Sequence, residues 1–528
     1  MRLNSIKTYI SVSLLAGAMF ACSEDKLDTI NKNPDNAPGV DAKFILTDAI
    51  TSTAFSNVGG DFNHYFSSYV EHEVGVFNQL YNAEYRVAEV YSSATFNNTW
   101  GGVYSSLKNA RIIIDKCSDG GTQSGNYTTK GMAEVLAALN AGLIADAFGD
   151  APFSQAALPN LENGRPQYMT PELDSQESIY EAIFQYLDAA IEDLPKGDTH
   201  VSGAPTTQDI LFRGNTEKWL KLAYGLKARY TMHLLNRAED KEATLRDIVE
   251  YCNKAATTTA DEAAFNVYDG NQNLNPCFDF FYSREYMAAS ASLAKKLIAR
   301  EDPRLGRTFM SAVDGTTYNA TQLTTEQAKS MELMAPNGAP EQQQQVYNTS
   351  IFGYAATAPT FLQSAHEVLF LKAEALVRLN RLEEAKATLK EAVVLGLLNM
   401  ENSVSSAANS YYYGVILNDE EPVTRTTAES YFDNNVSPLF DANPLKETMI
   451  QKYLAFWGSN GESTETYNDV RRLKAEGNDF YEFENPGRFP LRAPYGSDDV
   501  TANPNVQEAY GDGQYVFTEN VWWAGGTR

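Results

Sequence analysis

The sequence has little from which to build reactive chemistry. It holds only four cysteines and five histidines in 528 residues. No two cysteines stand in C-x-x-C spacing, so neither a redox pair nor a cysteine zinc site is indicated. The histidines, His64, His72, His200, His233 and His366, are scattered. Glu71 and Glu73 flank His72, yet the H-E-x-x-H spacing that brings two imidazoles to one metal is missing. So are a G-x-S-x-G nucleophile turn and a glycine-rich phosphate loop. A glycosidase needs two carboxylates at a set separation, and so acidic a chain singles out no pair. Positive charge is scarce too. Lys and Arg number 42 against 68 Asp and Glu, a net −26. That excludes nucleic acid as a partner, because phosphate binding needs a basic footprint. Beyond the first 21 residues no run reads as apolar enough to cross a bilayer.

The first 21 residues read as an export leader. Arg2 and Lys7 open it, an apolar stretch runs from Leu14 to Phe20, and Ala21 precedes Cys22. A leader that ends on cysteine reads as a lipoprotein signal, with the Cys22 thiol acylated and the mature chain starting there. The bland alternative is an ordinary secretory signal with a chance cysteine. Residues 22–40, with Ser23, Glu24 and Asp25 at their head, are too polar to bury and read as a tether. Residues 41–528 read as one domain. The three remaining cysteines, Cys117, Cys252 and Cys277, form an odd set and are expected to be mostly buried thiols.

Helical periodicity runs through residues 42–57, 97–116, 131–147, 175–193 and 215–235. Asp174 and Glu177 suggest a capping-box start, Pro195 a stop, and Asn215 a cap. Residues 363–396 read as a helical hairpin turning at Asn380 and Arg381, with small residues that permit close approach. Residues 60–96, 259–285, 303–360 and 398–443 read as loops, with short hairpins near 259–268 and 489–520. The aromatics in this loop context suit ligand stacking, with amides as directional donors. The candidate ligand residues are Tyr81, Tyr85, Tyr91, Phe96, Asn97, Asn98, Trp100, Tyr282 and Tyr286. Trp100 reads equally as the first core residue of its helix. Asp146 and Asp150 read as turn and cap residues around Gly149, and Asp302 and Arg304 as a structural turn. Trp219 reads as core, and Trp522 and Trp523 as anchors for the tail. Asp498 and Asp499 are a feeble calcium signal, and no cofactor is expected.

Several segments in order resemble the SusD/RagB family of outer-membrane nutrient-binding lipoproteins, in its SusD-like branch. They are Asn31-Lys32-Asn33-Pro34, Trp100-xxx-Tyr104-xx-Leu107, Ala145-Asp146-Ala147-Phe148-Gly149-Asp150, Gly214-Asn215-xxx-Trp219, Asp302-Pro303-Arg304-Leu305, Arg471-Arg472 and Arg488-Phe489-Pro490. Tyr467 stands where this branch usually has tryptophan. The resemblance implies a mainly α fold: tetratricopeptide-like hairpins in an irregular right-handed solenoid, with long loops and a few short strands. It implies a non-catalytic lipoprotein on the outer membrane, facing outward, that binds oligosaccharide and hands it to a TonB-dependent barrel. Peptide cargo, a protein-binding scaffold without a small ligand, and a surface hydrolase are the rival readings.

Overall fold

The structure is a computed structural model that describes residues 39–86, 96–162, 165–311 and 319–528. Cys22, the residues read above as leader, almost all of those read as tether, and Tyr91 lie outside the described residues.

Helices carry the fold. The first, α1 (Ala42–Thr51), runs into a π-helical turn and is followed by α2 (Asp61–Tyr69), strand β1 (Glu73–Gly75) and α3 (Asn78–Tyr85). Two long helices, α4 (Asn97–Cys117) and α5 (Tyr127–Phe148), form the first hairpin. Next come α6 (Gln176–Asp193), α7 (Thr216–His233), α8 (Lys241–Lys254) and β2 (Ala263–Phe265). Then α9 (Pro276–Arg284), β3 (Met287–Ala289) and β4 (Thr360–Gln363) precede the hairpin of α10 (Ala365–Arg378) and α11 (Leu382–Ala408). The chain closes through α12 (Pro444–Phe456), α13 (Ser463–Ala475), α14 (Ser497–Ala502) and α15 (Pro504–Tyr510). The three expected pairs, α4 with α5, α6 with α7 and α10 with α11, all pack together.

Local chemistry explains where the elements stop. Asn215 accepts from the Lys218 N–H at 3.2 Å and caps α7. Asn380, at φ +57°, turns the α10–α11 hairpin. Ser175, not Asp174, caps α6, accepting from the Ser178 N–H. Asp174 instead accepts from the N–H groups of Phe153 and Ser154. Close packing needs glycine at Gly142, where a Cβ would lie 2.1 Å from the Tyr230 hydroxyl oxygen.

Several sequence expectations are corrected. The supposed loop 60–96 contains α2 and α3, so Tyr81 and Tyr85 stand on a helix. Strand β2 pairs antiparallel with the distant β4 and not in a local hairpin. Residues 489–520 hold short helices in place of strands. Helix α5 is long and apolar enough to cross a membrane by length and composition, against the reading above. Of its most apolar window, 94% is buried, as in the core helix of a folded domain. Cys117, Cys252 and Cys277 are buried free thiols.

A layer of buried charge crosses the core. Arg472 donates to both oxygens of Glu374 at 2.7 and 2.8 Å and to Asp469 at 3.0 Å. Lys452 pairs with Asp469 at 2.7 Å, and Arg229 grips Glu367 through two bonds of 2.6 Å. Burial alone would raise the Glu374 carboxyl, but Arg472 and Arg378 overcome it and hold it at about 2. Asp146, read above as a turn residue, belongs to this layer. It accepts from the Tyr180 hydroxyl and from Trp523 Nε1 at 3.1 Å, and lies 3.4 Å from His233 Nδ1. Glu465 holds the other imidazole nitrogen at 2.9 Å.

Burial would lower the His233 imidazole, but Asp146 and Glu465 outweigh it and lift it from 6.5 to about 9. A raised value means that this group's stabilisation is complete below pH 6.5 and drains away as pH rises through about 9. Unfolding midpoints measured across that window should fall with pH. His233→Gln should flatten the decline, and an unchanged slope would show that another group causes it.

Candidate functional site

A cavity of about 370 Å³ opens beside the first turns of α4. Asn97, Gly101, Tyr104 and Lys108 follow one another at helical spacing, so one face of α4 floors it together with Trp100. Its side wall is the segment Pro152–Asn160, including Gln155 and Leu158. Gln167, Tyr168 and Pro171 line it too, and Asp498 and Asp499 of α14 close the end near Asn97.

The walls are fastened from behind. Arg111, on α4, donates to the carbonyls of Phe153 at 3.0 Å and Ala156 at 2.6 Å and lies 4.5 Å over the Phe153 ring. The Tyr104 hydroxyl donates to the Pro152 carbonyl at 2.7 Å. Burial, with Asp499 nearby, pushes that hydroxyl well above its ordinary value, so it stays a donor. Asn503 donates to the Pro171 carbonyl at 2.8 Å and Asn505 to the Thr170 carbonyl at 3.1 Å. A cavity with walls tied in this way is largely formed before any ligand arrives.

Trp100 is only 4% exposed. Its ring meets Phe148 and Tyr104 edge-on at 4.8 and 5.1 Å, and Nε1 donates to Asp499 Oδ2 at 2.6 Å. Gly496 lets the chain pass over it, since a Cβ there would stand 2.6 Å from the indole. Trp100 is thus core and cavity wall at once. The exposed stacking face is Tyr168, at 40%. Asn97 accepts from the Asp498 N–H at 3.2 Å, which joins α4 to α14 beside the cavity.

Of the candidate ligand residues named from sequence, the cavity unites only Asn97 and Trp100. Asn98 is exposed and is not among the lining residues. Phe96 is fully buried against Tyr65 at 5.2 Å and Phe66 at 5.8 Å. Tyr81 and Tyr85 stack on α3 at 5.7 Å, and Asn78 of the same helix donates to the Tyr286 hydroxyl. Tyr282 packs on Tyr412 at 4.9 Å beside Tyr411, which is 80% exposed. Asp498 and Asp499, weighed above only as a calcium signal, and Tyr104, quoted only in a family motif, also line it, and the other lining residues escaped the sequence reading. The spacing of Asn97, Gly101, Tyr104 and Lys108 was the available signal for the floor. Nothing in sequence joins Tyr168 or Asp499 to it.

Asp146, His233 and Glu465 place possible metal-ligand atoms within 4.8 Å of one another. Each of these groups already has hydrogen-bond partners in Tyr180, Trp523, Asn468 or one another. With the imidazole bridging the two carboxylates, the arrangement is that of a buried ionic cluster.

A family model described as "Starch-binding associating with outer membrane", of the SusD-like type, matches residues 34–475. A solved SusD/RagB family protein from Bacteroides thetaiotaomicron is similar at 53% identity and TM-score 0.87, covering 93% of this chain and 100% of that one. A chitin-binding protein aligns at 18% identity and TM-score 0.66, covering 91% of this chain and 99% of that one. A SusD homolog from Bacteroides fragilis does so at 18% and 0.66, covering 92% and 100%. These last two likenesses show the fold alone. None of the curated proteins matches the chain.

Proposed function

Because the chain belongs to the SusD/RagB family of outer-membrane nutrient-binding proteins, we propose that it captures an oligosaccharide in the cavity beside α4 and passes it to a TonB-dependent barrel. It is a binding protein and not an enzyme, as the family is. Acylation at Cys22 would hold it to the membrane, with residues 22–40 as the tether and the binding domain facing outward.

The observation that carries the reading is the cavity itself. An exposed tyrosine face, apolar walls of proline and alanine, and the amides of Asn97, Gln155, Asn160 and Gln167 converge on about 370 Å³. Aromatic faces stack on the C–H faces of sugars, and amides supply directional bonds to hydroxyls. The test is a binding screen of the chain from residue 23 against glycan and peptide panels. A glycan hit should weaken about tenfold in Tyr168→Ala. Its thermal midpoint should barely move, because the ring is on the surface. A hit on peptides alone would replace the cargo, and an unchanged Tyr168→Ala affinity would move the site elsewhere.

A further inference from the structure

The cavity lining carries charge of both signs, unevenly placed. Two carboxylates, Asp498 and Asp499, stand at the end near Asn97, and one ammonium, Lys108, stands at the other. Asn97 and Lys108 are separated by about 16 Å of helix rise, so the two ends lie further apart than one sugar ring is wide. Trp100 fixes Asp499 through its Nε1 at 2.6 Å, and the Asp498 backbone is pinned by Asn97. The Asp499 carboxylate is therefore held at the cavity, and the exposed Asp498 side chain springs from a fixed backbone beside it. Everything else that is polar in the lining is uncharged: amides, phenols, the Trp100 indole or backbone. The chain as a whole is at −26, so an anionic ligand also approaches against the field of the protein.

Resting on the cavity as the glycan site, we infer that Asp498 and Asp499 are specificity determinants. They make the cavity select uncharged glycans and reject chains bearing uronic acids or sulfate at the Asn97 end. Neutral sugars donate hydroxyls to carboxylates, whereas a second anion beside them meets like charge, with no cation among the described lining residues at that end. Lys108 offsets this only at the far end, so it orients a partly charged chain and does not admit a uniformly charged one.

The test is a glycan array that holds neutral, uronate and sulfated oligosaccharides of matched length, for example maltohexaose against hexagalacturonate. The quantity read is the ratio of neutral to anionic affinity. The wild type should favour neutral members by at least about tenfold at low salt, with the ratio narrowing as salt rises. Asp498→Asn/Asp499→Asn should collapse the ratio, and Lys108→Gln should widen it. A wild type that prefers anionic members, or a ratio that both variants leave in place, overturns the inference. Neutral binding that Tyr168→Ala weakens while the ratio ignores the acids would fell this inference alone. Glycan binding indifferent to Tyr168→Ala would fell the cavity reading, and silence across the array would fell both.

Discussion

Replacing Arg472 by methionine is expected to cost about 3–5 kcal/mol of folding stability, the range for breaking a buried ion pair from one side. The guanidinium and Glu374 are both fully buried, and two short bonds join them. Methionine fills much of the volume but supplies no donor. Glu374 would keep Arg378 at 2.8 Å, and Asp469 would keep Lys452 at 2.7 Å. Each carboxylate would lose its most enclosed partner. The measurement is the urea midpoint with its slope. A loss under about 1 kcal/mol would mean that the remaining cations suffice. The paired variant Arg472→Met/Glu374→Leu should recover much of the loss, because an apolar pair replaces an uncompensated charge.

Trp100→Ala should be nearly as damaging, at about 3–5 kcal/mol for truncation of a packed indole. Phe148, Tyr104 and Tyr495 would lose their shared neighbour, and Asp499 would lose its donor. Glycan binding should fall at the same time, because the cavity floor collapses with the core. The two effects are separable by Trp100→Phe, which restores most of the packing but not the bond to Asp499. A well-folded Trp100→Ala with full stability would contradict the packing described above.

The long helices were legible from sequence because apolar residues recur at helical spacing over many turns, so residues 97–116 foretold Asn97–Cys117 closely. Helix α3 was not, because eight residues rich in Asn, Gln and Tyr show no such period. Strands β2 and β4 lie far apart in sequence, and their pairing leaves no local mark. The ionic layer was hidden for a different reason. Arg472, Glu374 and His233 look like any surface charge until tertiary packing encloses them. The site was half legible. Trp100 and Asn97 stood out, but Tyr168 and Asp499 reach the cavity only through contacts that no periodicity encodes.

One bond at the cavity has a kinetic meaning. Trp100 and Asp499 are 399 positions apart. Closing so long a loop is entropically costly and comes after local helices and neighbouring hairpins have formed. The end of the cavity that Asp499 closes is then expected to form after those local elements, together with other long-range contacts such as Glu71 with Asn485. A ligand seated there would slow the unfolding of the chain while leaving its rate of folding untouched.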